Sequence, residues 1–343
     1  MKIEDIFLGG LGVHLPPSVS VEHAIEEGWY DVEDAEETQL TGAAVAGGLS
    51  GPEMAVEAAR QALSRAGREP GAVDLLLYAD VYHAGPEGWL PQSYVQRHVV
   101  GGGALAVGIR QGCNGVFGAL ELAAAHLRAA PDRSAALIVA ADNLSSPLLD
   151  RWRCSPGVIV GDAASAALLT TTPGFARLRS VASASIPELE QLHRGNEPLH
   201  PPGSARGRRL QFQSRFDEFI QNGGFGPDGQ LVFVKTMTEV AHRVLDEAGI
   251  GLGDLARVVT NNGAREGVQS RLDALGLPME LSTWEFGRGI GHLGASDQLV
   301  SLDRLLADGE LAAGTHVLLL GLGPGVSVAA AVVEILETPP WTR

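Results

Sequence analysis

Ile109-Arg110-Gln111-Gly112-Cys113-Asn114-Gly115 is the stretch from which the rest of this 343-residue chain can be read. An apolar run, Ala104 to Val107, precedes it. An Ala- and Leu-rich pattern follows, with Val116, Leu120, Leu122, Ala123 and Leu127 at the spacing of a helix buried on most sides. A thiol between glycines at a helix start has two physical advantages. The unpaired N–H groups and positive dipole end of the helix favour thiolate over thiol. The glycines let a substrate carbonyl approach the backbone, so the Cys113 N–H can bind a developing oxyanion. A small buried cysteine is the commoner fate of a free thiol, so the surrounding chain has to decide between the two.

Composition narrows the classes. A hydrophobic content of 45% with only 19% charged residues describes a globular chain with a sizeable core, in two domains or one large layered one. No apolar run reaches the roughly 18 residues of a membrane span. Met1-Lys2-Ile3-Glu4-Asp5 is acidic where a signal peptide would be basic, so neither membrane nor export is expected. Two cysteines, Cys113 and Cys154, provide neither a disulfide framework nor a metal-ligand cluster. A cytoplasmic setting without metal is the expectation. The net charge of −16 argues against nucleic acid as a partner. An acidic protein partner would need a local basic patch. Arg206-Gly207-Arg208-Arg209 with Arg215 is one such strip, equally readable as a solvated loop.

Taken in order, residues 2–13 read as a strand, 53–66 as a helix and 73–79 as a strand. A polar-aromatic loop, 80–96, leads to the strand before Cys113. Helix 116–128 and strand Ala135 to Ala141 follow, and residues 190–230 read as an irregular cap. Then the first pattern returns: Glu57-Ala58-Ala59-Arg60-Gln61-Ala62-Leu63-Ser64-Arg65-Ala66-Gly67 matches Glu239-Val240-Ala241-His242-Arg243-Val244-Leu245-Asp246-Glu247-Ala248-Gly249. Strand Ala135 to Ala141 has its counterpart in Thr315 to Gly321. The offset, about 180 residues, is far beyond the 20–50 of a solenoid. It indicates a duplicated α/β domain whose halves pack about a pseudo-twofold axis, with a cleft where their helix starts meet.

The repeat makes a specific forecast. Carried over by that offset, Cys113 lands beside Gly291-His292 in a second Gly-rich helix start, Gly289 to Asp297. A Cys and a His brought together at paired helix starts suit acyl transfer, with His292 as base. Asp297, five residues on, can hold the imidazole in one tautomer, or can be an ordinary first-turn helix carboxylate. No Gly-x-Gly-x-x-Gly sits at the first strand–helix turn, which disfavours dinucleotide binding.

With these residues in view, the chain resembles the thiolase-fold condensing enzymes, most closely β-ketoacyl-ACP synthase III. The likeness rests on the Cys-Asn-Gly elbow, on Val160-Gly161-Asp162-Ala163-Ala164-Ser165-Ala166-Ala167, and on the terminal Gly321-Leu322-Gly323-Pro324-Gly325. The Gly-Pro-Gly spelling is more like the chalcone synthase branch. The resemblance implies an α/β, duplicated thiolase-like fold with two mixed sheets and layered helices (αβαβα). The halves would be residues 1–172, with the nucleophile, and 173–343, with the histidine and a cap at roughly 185–230.

The departures carry the functional reading. Typical members have Pro-His-Gln-Ala-Asn where this chain has Thr260-Asn261-Asn262-Gly263-Ala264, so the family histidine becomes Asn261. Typical members have Gly-Asn-Thr-Ser where this chain has Gly291-His292-Leu293-Gly294, so the family asparagine becomes His292. The swap, with Asp297 behind it, implies a Cys-His-Asp triad, similar to that of ketosynthase-III-like acyltransferases of antibiotic pathways. The expected reaction is transfer of an acyl group through acyl-Cys113 to a hydroxyl or amine of a small-molecule acceptor. The alternative is a decarboxylating synthase joining a starter acyl group to malonyl-ACP.

Further expectations follow from the resemblance. Asn261, Gly323 and Gly325 support the site, although Pro324, at the family's oxyanion-donor position, has no N–H. Trp29 is near the family's adenine-stacking tryptophan, or is equally a buried loop anchor, and Arg151 and Arg153 approximate its partner. Lys235, Arg265 and Arg271 would face an acyl carrier protein, whose phosphopantetheine is the expected donor in preference to coenzyme A; no tightly bound cofactor is expected. Trp89 and Leu90 fall where the family reaches across a homodimer interface into the partner's acyl pocket.

Overall fold

The computed structural model describes residues 1–82, 85–145, 149–201, 207, 209–224, 226 and 228–342; Arg206 and Arg208 of the basic strip lie outside these. Its strands are β1 (Phe7–His14), β2 (Ser18–Ser20), β3 (Gly42–Ala44), β4 (Leu75–Ala79), β5 (Leu105–Ile109), β6 (Ala135–Asp142), β7 (Ala163–Thr170), β8 (Ala176–Ser185), β9 (Leu255–Val259), β10 (His316–Gly323) and β11 (Ser327–Ile335). Its helices are α1 (Val21–Glu26), α2 (Val32–Thr38), α3 (Gly51–Ala66), α4 (Pro91–Val95), α5 (Gly115–Arg128), α6 (Phe212–Gln221), α7 (Gly229–Ala248), α8 (Arg265–Ala274), α9 (Trp284–Gly287) and α10 (Asp297–Ala307).

The sequence repeat is a repeat of strand pairing. β4 lies parallel to β6, β6 antiparallel to β7, and β7 antiparallel to β1. In the second half β9 lies parallel to β10, β10 antiparallel to β11, and β11 antiparallel to β8. One feature differs from the expected two sheets. The first strands of the two halves pair with each other, Phe7 opposite Arg177 and Leu8 opposite Ala176. The halves thus share one sheet in the order β5-β4-β6-β7-β1-β8-β11-β10-β9. Periodicity defines strands but not which edges meet, so this junction was not legible in the pattern.

Three apolar cores separate the layers. Val116, Phe117 and Leu120 of α5 and Leu299 and Leu302 of α10 fill the middle layer, between the faces of the two halves. Each fully buried side chain of this size contributes roughly 1.5–3 kcal/mol. Met54, Ala58 and Leu63 of α3 cover one outer face; Met237, Val244 and Leu245 of α7 cover the other. The outer helices stop alike. Gly67 (φ 60°) and Gly249 (φ 74°) adopt the left-handed conformation that caps α3 and α7. At its start α3 carries a capping box between Ser50 and Glu53.

Two segments expected to be irregular are partly helical. The loop before β5 gives way to α4 at Pro91, which can occupy a first helical position because it needs no partner for a backbone N–H. The cap contains α6, and it ends where α7 begins at Gly229. No helix among the described residues is long and apolar enough to cross a membrane.

Candidate active site

The central helices α5 and α10 bring their N-termini together, and Cys113 and His292 meet between them. A single helical turn, Gly112–Asn114, turns the chain from β5 into α5. Gly112 is left-handed (φ 55°), and a Cβ there would lie 2.6 Å from Pro324 Cδ, so only glycine fits this turn. Asn114, fully buried, donates from Nδ2 to Ser327 O (3.0 Å) and Ser327 Oγ (2.9 Å), tying the elbow to β11. On the opposing side, the backbone of His292 is held as a strand beside residues 159–161. His292 N donates to Ile159 O and Gly161 N donates to His292 O, each at 2.8 Å.

The forecast pairing is present. Cys113 Sγ lies 2.9 Å from His292 Nε2, across a sequence separation of 179 residues. His292 Nδ1 lies 2.5 Å from Asp297 Oδ2. Asp297 is fully buried at the first position of α10, and each carboxylate oxygen faces two donors. Oδ1 accepts from Leu293 N (2.8 Å) and Asn262 Nδ2 (3.0 Å); Oδ2 accepts from Asn262 N (3.0 Å) and His292. Four partners on one carboxylate fix its plane and hold it against the imidazole. Asn262 Nδ2 also donates to Gly291 O at 2.8 Å, so one asparagine orients both the carboxylate and the turn carrying the base. The sequence marked Asn261 but not Asn262, whose role depends on where the loop after β9 meets α10.

Burial opposes the charge on His292, but Asp297 and Cys113 more than offset it and hold the imidazole pKa well above its ordinary value. Cys154 differs. It is buried, and that burial pushes its thiol up to about 11, which makes it a poor nucleophile. A second buried acid lies nearby. Asp142, at the end of β6, accepts at Oδ1 from Val81 N and Tyr82 N, while Oδ2 has no hydrogen-bond partner among the described residues. Burial raises its pKa to about 7.

A cavity of about 580 Å³ opens onto Cys113 and His292. Leu189, Leu192, Phe212 and Phe233, from the cap and the start of α7, form an apolar wall. His193 lines it too, with its pKa lowered to about 4 by burial and the neighbouring Arg215, so it is neutral near pH 7. Sequence reading identified this segment as a cap without naming these residues, since cap loops carry no periodicity. Gly323 ends β10 against Asn114, and Gly325 sits exposed beyond Pro324.

Trp29 and Arg153 come together on the wall of a second cavity, of about 460 Å³, with Arg209. Trp29 stacks on Trp152 (6.4 Å between centroids), and Arg153 pairs with both oxygens of Asp31, at 3.1 and 3.0 Å. Arg151 is buried against Asp162. Lys235 is exposed on α7, 3.7 Å from Glu239, and Arg265 lies over the Trp284 ring at 5.7 Å. Arg271 requires a correction. Expected at a carrier-facing surface, it lines the catalytic cavity instead, because its helix position turns inward beneath the loop after β9. Trp89 folds against Tyr94, while Leu90 is 57% exposed.

Comparison with known proteins agrees with this architecture. The 3-oxoacyl-[acyl-carrier-protein] synthase III profile matches residues 107–185, and the profile for the C terminal of that synthase matches residues 245–335. β-Ketoacyl-[acyl-carrier-protein] synthase III of Streptomyces lividans is 26% identical over 301 residues, 84% of this chain and 81% of that protein. The enzyme of the same name from Nitratidesulfovibrio vulgaris is 28% identical over 339 residues, covering 95% and 96%. The synthase III structure from Pseudomonas aeruginosa, at 23% identity, shares the fold with a TM-score of 0.77 over 98% of this chain and 100% of that one. A structure named ChlB3 and described as an acyltransferase is 54% identical, with a TM-score of 0.94 over 98% of this chain and 100% of its own. The chain belongs to the β-ketoacyl-[acyl-carrier-protein] synthase III family of thiolase-fold enzymes.

Proposed function

We propose that the protein is an acyltransferase that moves an acyl group from a thioester donor, through acyl-Cys113, to a hydroxyl or amine acceptor. The observation that carries this reading is the hydrogen-bonded line from Cys113 through His292 to Asp297. A base oriented by a buried carboxylate suits removing a proton from an incoming nucleophile. The likeness to an acyltransferase at 54% identity supports it.

The sequence of steps is as follows. The Cys113 proton passes to His292, and Sγ attacks the donor carbonyl. The Cys113 N–H, at the positive end of α5, stabilises the oxyanion. The tetrahedral intermediate collapses, and the departing thiol takes the proton from His292. Acylation removes the negative sulfur that favoured the imidazolium, so the His292 pKa falls and the neutral ring becomes the base for the acceptor. The acceptor's oxygen or nitrogen bonds to the acyl carbon, and the Cys113–acyl bond breaks. No carbon is lost.

Acyl carrier protein is the donor in this reading. The synthase III relatives are named for acyl-carrier-protein chemistry. Of the residues nearest an adenine clamp, Trp29 stacks on Trp152 and Arg153 pairs with Asp31. Intact-mass and product-mass measurements test the whole scheme. Wild-type enzyme should gain the acyl mass, and the product should be an ester or amide retaining every donor carbon. A product lighter by CO₂, formed from a malonyl donor, would replace this reading with the decarboxylating synthase.

We propose a homodimer as the working assembly. β5 is the sheet edge beyond β4, and its Leu105 and Val107 are 55% and 37% exposed. An unpaired strand edge with apolar side chains is a pairing surface. Sedimentation at micromolar concentration should show a dimer, and Val107→Lys should shift it toward monomer. A wild-type chain that sediments as an active monomer rejects this assembly.

A further inference from the structure

We infer that Arg271, braced by the Asn261 backbone carbonyl, forms an anion-recognition site inside the catalytic cavity, which selects a substrate bearing a carboxylate on an apolar body. The guanidinium is buried beneath the loop after β9, and it lines the cavity with Asn261 and His292. Its one hydrogen bond among the described residues runs from Nη1 to Asn261 O at 2.9 Å, and it makes no ion pair there. Burial lowers its pKa only to about 10, so it is charged at neutral pH. Its remaining N–H donors are not among the sealed, unpartnered atoms and keep access to the cavity.

Asn261 is 7% exposed, and its Oδ1 accepts from Leu322 N at 2.7 Å. That contact fixes the amide orientation; Nδ2, unpartnered among the described residues, is sealed from the cavity, so the Arg271 guanidinium is the donor that faces it. A buried cation without an ion-pair partner is costly unless an acceptor arrives. Asp297 does not supply one, since its two oxygens already take four N–H groups. In a chain of net charge −16, an enclosed guanidinium with no ion-pair partner among the described residues is a means of admitting an acid that the overall field repels. The apolar wall of Leu189, Leu192, Phe212 and Phe233 fits the rest of such a molecule.

The carboxylate belongs either to the acyl group or to the acceptor, and this part of the inference rests on the acyl-transfer reading. Binding does not. Calorimetry on the unmodified protein should therefore find hexanoate bound at least about tenfold more tightly than hexanamide, as a charge-assisted contact requires. Arg271→Gln should abolish that preference, and Arg271→Lys should retain most of it. Equal binding of the two probes by wild type overturns the inference, even if Arg271→Gln fails to fold. So does a preference that survives in folded Arg271→Gln, which would place the anion on His292. Acyl loading then identifies the source. Faster loading from glutaryl- than from valeryl-pantetheine thioester puts the carboxylate on the acyl group. Equal loading, with the hexanoate preference intact, puts it on the acceptor.

Discussion

Cys113→Ala protein, incubated with an acyl thioester that loads the wild type, should gain no acyl mass. Cys113 is the one described thiol placed against a base, 2.9 Å from His292 Nε2 at a helix N-terminus. The other thiol, Cys154, lies on the cavity wall with its pKa pushed up to about 11 and should stay unmodified. Loss of one sulfur atom at a half-buried position leaves Asn114 and its bonds to Ser327 in place, so the fold should be unchanged. Intact-mass spectrometry with thermal melting reads both results. Equal acyl stoichiometry on folded Cys113→Ala would remove Cys113 from the mechanism, and with it the function proposed above.

His292→Ala should reduce turnover on the order of 10²–10⁴, the usual cost of removing a general base. In the proposed mechanism both half-reactions pass a proton through this ring. Asp297→Asn should cost a comparable factor. Each Asp297 oxygen faces donors, so an amide nitrogen placed there would set N–H against N–H and favour the wrong imidazole tautomer.

The pH dependence has a definite sign. In the free enzyme burial lowers the His292 pKa, while Asp297 and Cys113 raise it further, for a net value well above the ordinary one. Transfer from preformed acyl-enzyme needs the neutral ring. It should rise with pH to a plateau, with a midpoint below the His292 pKa of the free enzyme, because the Cys113 contribution has gone. Asp297→Asn should shift that midpoint lower still. Asn261→Ala should slow transfer less than either change, since Asn261 does not carry the base. Single-turnover transfer rates against pH check each point. Full activity in Asp297→Asn would sink the triad.

The same pKa carries a stability consequence. A histidine whose folded-state pKa is raised above its unfolded value stabilises fully below about pH 6.5, and the gain is lost as pH rises through the folded value. The resting ion pair therefore favours the fold most on the acid side of neutrality.

Much of this protein was legible in the chain itself. The repeated Ala-Gly helix ends, the strands of matching spacing and the glycines around Cys113 and His292 are local signals, because caps, turns and periodicity are set by neighbouring residues. The repeat offset then brought Cys113 to His292 without coordinates, since duplicated halves pack about a common axis. Contacts that no local rule encodes were decided by the tertiary structure. The edges of β1 and β8 join the halves, and Asn262 takes hold of Asp297 across the loop after β9. Trp29 and Arg153 find internal partners. Arg271 shows the reason most plainly. Arg265, Glu266 and Asp273 share one side of α8 and Arg271 stands apart from them beside buried Val268, but a helix pattern does not say what that side packs against. Only the packing of α8 beneath the catalytic loop turns that one arginine into the cavity.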